Sequence, residues 1–145
     1  RSWRAVVERL MAVDGFGGTG FSAKEIVLDL LLTPLLAGCR DLDTWCPVGP
    51  GACRGLNRLK GRPLQAAPNF EQLVSELLEV FHAREDHYPP NLAERTPLGL
   101  HDVQFQLCEF DKYLRGKHGQ GRLRRFVPYE ELYHAPPSTS AVAPC

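Results

Sequence analysis

The stretch Pro47-Val48-Gly49-Pro50-Gly51-Ala52-Cys53-Arg54-Gly55-Leu56-Asn57-Arg58-Leu59 constrains this chain more than any other. Prolines at 47 and 50 fix φ, and glycines at 49 and 51 permit backbone geometry closed to other residues. A rigid turn opening directly into a helix gathers backbone N–H groups and a helix N-terminus around one point, where an anion is favoured. The charges agree. No acid lies between Asp43 and Glu71, while Arg54, Arg58, Lys60 and Arg62 do. Arg54 and Arg58, four apart, share one face of a helix. The plainer alternative is a tight turn followed by a solvated helix.

The segments around this turn are also helical in pattern. Trp3, Val6, Val7, Leu10 and Met11 fall on one face of a helix over 2–13, with Ser2 as cap and Gly15 as stop. Ser22 followed by Glu25 predicts a capping box for a helix from Ala23 to about Leu32, with Ile26, Val27, Leu30 and Leu31 inward. Residues 34–46 show no pattern. A helix over 52–60 closes at Gly61. Asn69 caps another, whose apolar stripe is Phe70, Leu73, Val74, Leu77, Leu78 and Phe81. The prolines at 89, 90 and 97 mark 85–99 as loop. Val103, Leu107, Phe110 and Leu114 give a core-facing helix over 102–115. No strand pattern occurs, so the fold class is all-α. The tail 133–145, with Pro136, Pro137 and a Ser/Thr/Ala run, reads as disordered after a helical domain over 1–132.

At 145 residues the chain is one domain by length. Its formal charge is zero, so nothing global points to nucleic acid. The charges are nevertheless segregated. Lys112, Arg115, Lys117, Arg122, Arg124 and Arg125 lie in 112–125 without an acid, which allows a local phosphate-binding face. Five cysteines without a CxxC pair read as reduced thiols of an intracellular protein, nuclear if the source is eukaryotic, and the histidines complete no metal spacing. No signal peptide or 18-residue apolar run is present, so no membrane partner is expected. The chain starts at Arg1 within a predicted helix, which reads as an N-terminally truncated domain whose first helix leaves Trp3, Val6 and Leu10 incompletely packed.

Two constellations carry possible chemistry. Gly18-Thr19-Gly20 stands between two predicted helices, where a tight turn exposes N–H groups to a DNA phosphate; an ordinary αα-hairpin is the alternative. On the helix over 102–115, Asp102, Gln106, Glu109 and Tyr113 form a polar line opposite the apolar stripe, with Lys112 placed to pair with Glu109. Such a line is either a solvated face or the wall of a cleft.

The order of these motifs resembles the helix-hairpin-helix DNA glycosylases of the endonuclease III type, in which a GxG hairpin precedes a Gly/Pro loop and a helix with an Asn-Arg pair, here Asn57-Arg58. The catalytic Asp of those enzymes would fall near Gly49, where this sequence has no carboxylate. A closer resemblance joins Gly49-Pro50-Gly51 and Gly55 with Asp102, Gln104, Cys108, Glu109, Asp111, Lys112 and Tyr113, and with Gly121, Arg122 and Arg124. Together these are similar to the helical domain of 5-hydroxymethyluracil DNA kinases, grouped with the α-glutamyl/putrescinyl-thymine pyrophosphorylases, over about residues 10–128.

That resemblance implies DNA as partner and action on a flipped, modified thymine. Phosphate would be held by Gly18, Gly20, Gly49 and Gly51 through their amides and by Arg54, Arg58, Arg122 and Arg124 through charge, with Lys112 as a further cation. Asp102 or Glu109 would supply a carboxylate base. No cofactor is implied. The sequence holds no GxxxxGK[ST] motif, so a kinase step would fall to a separate polypeptide or domain. A non-catalytic helix-hairpin-helix DNA-binding module remains the alternative.

Overall fold

Six helices account for the regular structure of residues 1–94 and 96–120, the part described by the computed structural model: α1 (Trp3–Met11), α2 (Phe21–Leu31), α3 (Pro50–Leu59), α4 (Phe70–His87), α5 (Pro90–Ala93) and α6 (Leu100–Lys117). No strand occurs among the described residues, and the domain is all-α. The short α5 lies in a stretch expected to be loop throughout. The tail 133–145 and the segment holding Arg122 and Arg124 lie outside the described residues. No helix of the described part is long and apolar enough to cross a membrane.

Several helix starts are set by single polar side chains, as unpaired first-turn amides require. Ser2 Oγ accepts from the Ala5 amide at 3.1 Å, and Asn69 Oδ1 from the Gln72 amide at 2.8 Å. The patternless segment 34–46 supplies two more. Asp41 accepts from the Trp3 and Arg4 amides at 2.8 and 3.0 Å, and Asp43 from the Leu100 amide at 3.0 Å. These two acids fasten one irregular segment to the starts of α1 and α6.

The capping box expected from Ser22 and Glu25 does not form. The helix starts earlier, with Gly20 as the cap in left-handed backbone at φ 76° and with Ser22 already helical. The shift turns a different face inward. Ala23, Lys24 and Val27 are buried, while Ile26 is 42% exposed. Lys24 tolerates burial because its ammonium donates to Gln104 Oε1 at 2.9 Å and pairs with Glu25 Oε1 at 2.7 Å.

Two apolar clusters form the core. One gathers α1, α2 and the following segment around Trp3, Val7, Ala23, Val27, Leu36, Cys39 and Trp45. The other joins α3, α4 and α6 through Ala52, Leu56, Leu73, Leu77, Phe81, Val103 and Leu107. The consecutive residues Trp45 and Cys46 belong one to each, so the chain entering α3 runs buried between them. Incomplete packing of Trp3 is ruled out: it is 1% exposed, and its Nε1 donates to the Trp45 carbonyl at 3.1 Å. Residues 34–46 cover it, which no periodicity in that segment announces. Val6 and Leu10 are half-buried.

The closest contact in the fold is the crossing of α3 and α6. A Cβ placed on Gly55 would lie 2.4 Å from the Leu107 carbonyl oxygen, and one on Gly51 would lie 2.9 Å from Cys108 Sγ. At Gly55 only hydrogen lets the two backbones approach this far, whereas at Gly51 the neighbour is chiefly a side chain. The GPGxxxG pattern is therefore in part a packing device.

Candidate functional site

A cavity of about 420 Å³ opens where the hairpin, the Gly/Pro turn and α6 meet. Thr19 and Phe21 form one wall, residues 49–51 the next, and Phe105, Cys108, Glu109 and Lys112 of α6 the third. Three segments far apart in sequence are brought to one place by the α3–α6 crossing and by the burial of the chain from Trp45 to Gly49.

The hairpin presents unpaired donors. Gly18 and Gly20 adopt φ of 74° and 76°, which glycine alone takes readily. The amides of Gly18 and Thr19 donate to no acceptor among the described residues. Gly20 is buried against the Met11 side chain and Pro47, so its part is to hold the hairpin to the turn. Gly49 behaves differently from Gly51. Its φ is −72°, and a Cβ there would meet nothing nearer than 3.7 Å, so neither conformation nor packing demands glycine.

On the α6 wall, Lys112 Nζ pairs with Glu109 Oε1 at 2.5 Å. This is the predicted pair, and both residues line the cavity. Cys108 lies deeper. Burial raises its thiol above the ordinary value, against the opposing pull of Lys24, Lys112 and the Ala52 amide, so it stays a neutral thiol. Behind it Gln104 is 1% exposed and accepts from Lys24. The polar line splits accordingly: Glu109 is half-buried at the cavity, while Gln106 and Tyr113 face solvent.

The remaining expected site residues lie elsewhere. Asp102 Oδ2 accepts from the Gly99 amide at 2.9 Å and closes the first turn of α6. Arg54 and Arg58 do share a helix face, but their Nε groups donate to the two oxygens of Asp111 at 2.7 and 2.9 Å. Asp111 is fully buried. Burial alone would raise its carboxyl, and the two guanidinium hydrogen bonds outweigh that and hold it below the usual carboxylate range. Arg58 also reaches Gln120 at 3.3 Å. Asn57, fully buried, donates to the Leu64 and Ala66 carbonyls and accepts from Arg62, so the Asn57-Arg58 pair is engaged within the domain. The pairing of Asp111 with Arg54 and Arg58 and the burial of Lys24 were not legible, because a buried charge carries no periodic signature; the acid-free stretch with Arg54 and Arg58 four apart was the available hint.

A hairpin, a turn and an ionic helix face around one concave site mark out this helical domain. The chain belongs to the family described as 5-hmdU DNA kinase, helical domain, which matches residues 1–122. That description ties the domain to thymine modification. No curated protein and no solved structure gives a significant match.

Proposed function

We propose that this domain binds DNA and presents one everted, 5-hydroxymethyluracil-type base in the cavity between the hairpin, the Gly49–Gly51 turn and α6. The observation that carries the reading is that Thr19 of the hairpin, whose amide has no acceptor among the described residues, lines one cavity with the Glu109–Lys112 pair. An amide-lined turn suits a backbone phosphate, as in a helix-hairpin-helix of the DNA glycosylase type. The cavity size suits a small ligand, and a base inside a duplex has to leave the stack to be acted on.

In this reading Glu109 is the base that takes a proton from the hydroxyl or amine reacting at the 5-substituent. Lys112 pairs with it, holds it oriented and faces a phosphate. Asp102 serves α6 as a cap rather than the chemistry. Arg54 and Arg58 act first as partners of Asp111, and their remaining N–H groups give a secondary cationic surface; Arg122 and Arg124 add charge from beyond the described residues. Phosphoryl transfer belongs to a nucleotide-binding domain or polypeptide that acts with this one.

The test is a single-turnover reaction on duplex DNA with one 5-hydroxymethyluracil, run with the nucleotide-binding partner and read by nucleoside mass spectrometry. Glu109→Gln is expected to slow turnover by about 100-fold or more with affinity for DNA unchanged. Lys112→Ala is expected to lower both. Turnover at the wild-type rate in Glu109→Gln contradicts the assignment.

A further inference from the structure

Two large apolar side chains of the cavity are left in the open. Phe21 is 44% exposed and Phe105 is 48% exposed, although the domain buries comparable residues such as Phe81. They come from different helices, α2 and α6, and line the same cavity. Phe21 is fixed from behind: the buried ammonium of Lys24 lies 5.5 Å from its ring centroid, a cation–π contact with one face of the ring. The backbone near it is fixed too, since Gly49 lies against the Phe21 side chain. An exposed ring held in place from the protein side is a surface for stacking.

We propose that Phe21 and Phe105 form an aromatic clamp for the everted pyrimidine, with the 5-substituent directed to Glu109 and Lys112. This rests on the base-binding reading above and adds the residues that recognise the ring itself. The occupant follows from the mixture of groups. Two aromatic rings suit a flat π-system, because base–aromatic stacking needs only the faces. The neutral Cys108 thiol leaves the floor without charge, as an uncharged pyrimidine requires. The ionic groups share the cavity lining with Thr19 of the hairpin, whose amide suits the flanking phosphate. An aliphatic occupant would draw no benefit from those polar groups.

The experiment uses duplexes with 2-aminopurine opposite a single 5-hydroxymethyluracil or opposite thymine, with anisotropy and 2-aminopurine fluorescence read in the same titration. Wild-type protein is expected to bind and to raise the fluorescence as the opposite base leaves the stack. Phe21→Ala and Phe105→Ala are each expected to weaken the hold on 5-hydroxymethyluracil DNA by about 5-fold to 10-fold, to the level of unmodified DNA, and to abolish most of the fluorescence rise. Binding to unmodified DNA should stay within about twofold, since phosphate contacts dominate it. Phe21→Trp and Phe105→Trp restore stacking and are expected to recover the rise, whereas leucine at either position does not. Circular dichroism verifies folding of each variant; both rings lie outside the two core clusters.

A full fluorescence rise in both alanine variants overturns the clamp and leaves DNA binding intact. Absence of wild-type binding to either duplex overturns the base-binding reading as a whole.

Discussion

At the scale of single residues, the structure separates groups that hold the fold from groups that face the cavity. Asp111 belongs to the first kind. Its substitution by Asn leaves Arg54 and Arg58 without their counter-charge; because Arg54 is partly exposed, the loss falls at the low end for a broken buried pair, about 3 kcal/mol in urea unfolding. The pH dependence follows from the same contacts. The carboxyls of Asp111, Asp41 and Glu76 are all held below their ordinary values. Burial raises the two aspartates, and their hydrogen bonds prevail; for Glu76 the hydrogen bond from Arg62 leads. Depressed folded-state values mean stability that is complete above the unfolded carboxylate range and is lost as pH falls through the folded values. Thermal midpoints are therefore expected to hold near neutrality and drop below about pH 4, with a shallower acid limb in Asp111→Asn. Gly49 belongs to the second kind. Gly49→Ala should leave stability unchanged or raise it by up to about 1 kcal/mol, because an alanine fits its backbone, while weakening binding of the modified base. A large loss of stability would show that Gly49 serves packing instead.

At the scale of elements, the α3–α6 crossing positions the cavity, and its glycines make unequal demands. At Gly55 the obstacle is the Leu107 backbone, which cannot step aside without moving α6. At Gly51 it is chiefly the Cys108 side chain, which can turn away. Gly55→Ala is accordingly expected to cost about 3 kcal/mol and Gly51→Ala about 1 kcal/mol in denaturant titrations. Equal costs would mean that the two helices adjust as rigid units. Helix existence was legible wherever an apolar face repeated, and the Asn69 and Ser2 caps were legible as side chains. The start of α2 was not. Gly20 caps through its backbone conformation, so a Ser-x-x-Glu pattern two residues later misled, and the inward face moved from Ile26 to Lys24. The Glu109–Lys112 pair was legible from spacing alone because both partners share one helix.

At the scale of the whole molecule, the two core clusters are coupled rather than separate. The buried run from Trp45 to Gly49 passes between them, Asp43 ties the irregular segment to α6, and the Lys24–Gln104 bond joins α2 to α6. Unfolding is expected to be a single transition, with tryptophan fluorescence and far-ultraviolet dichroism superimposable; both tryptophans sit in the first cluster, so two separated steps would show that the clusters melt independently. The all-α class was legible because every periodic segment had helical spacing. The role of 34–46 was not, since capping by Asp41 and Asp43 and coverage of Trp3 are long-range contacts that leave no local pattern. The cavity was legible only in its parts: hairpin, turn and polar helix face were each visible, but their meeting depends on the α3–α6 crossing. The central claim is that this meeting point receives a modified thymine of DNA. Its most direct test is the affinity of the full chain for duplexes with 5-hydroxymethyluracil or thymine at one position, measured across a salt series. The account predicts a linear fall of log affinity with log salt for both, and a preference of about 5-fold to 10-fold for the modified duplex, the effect of about one hydrogen bond. Equal affinity for the two duplexes, or affinity indifferent to salt, would contradict it.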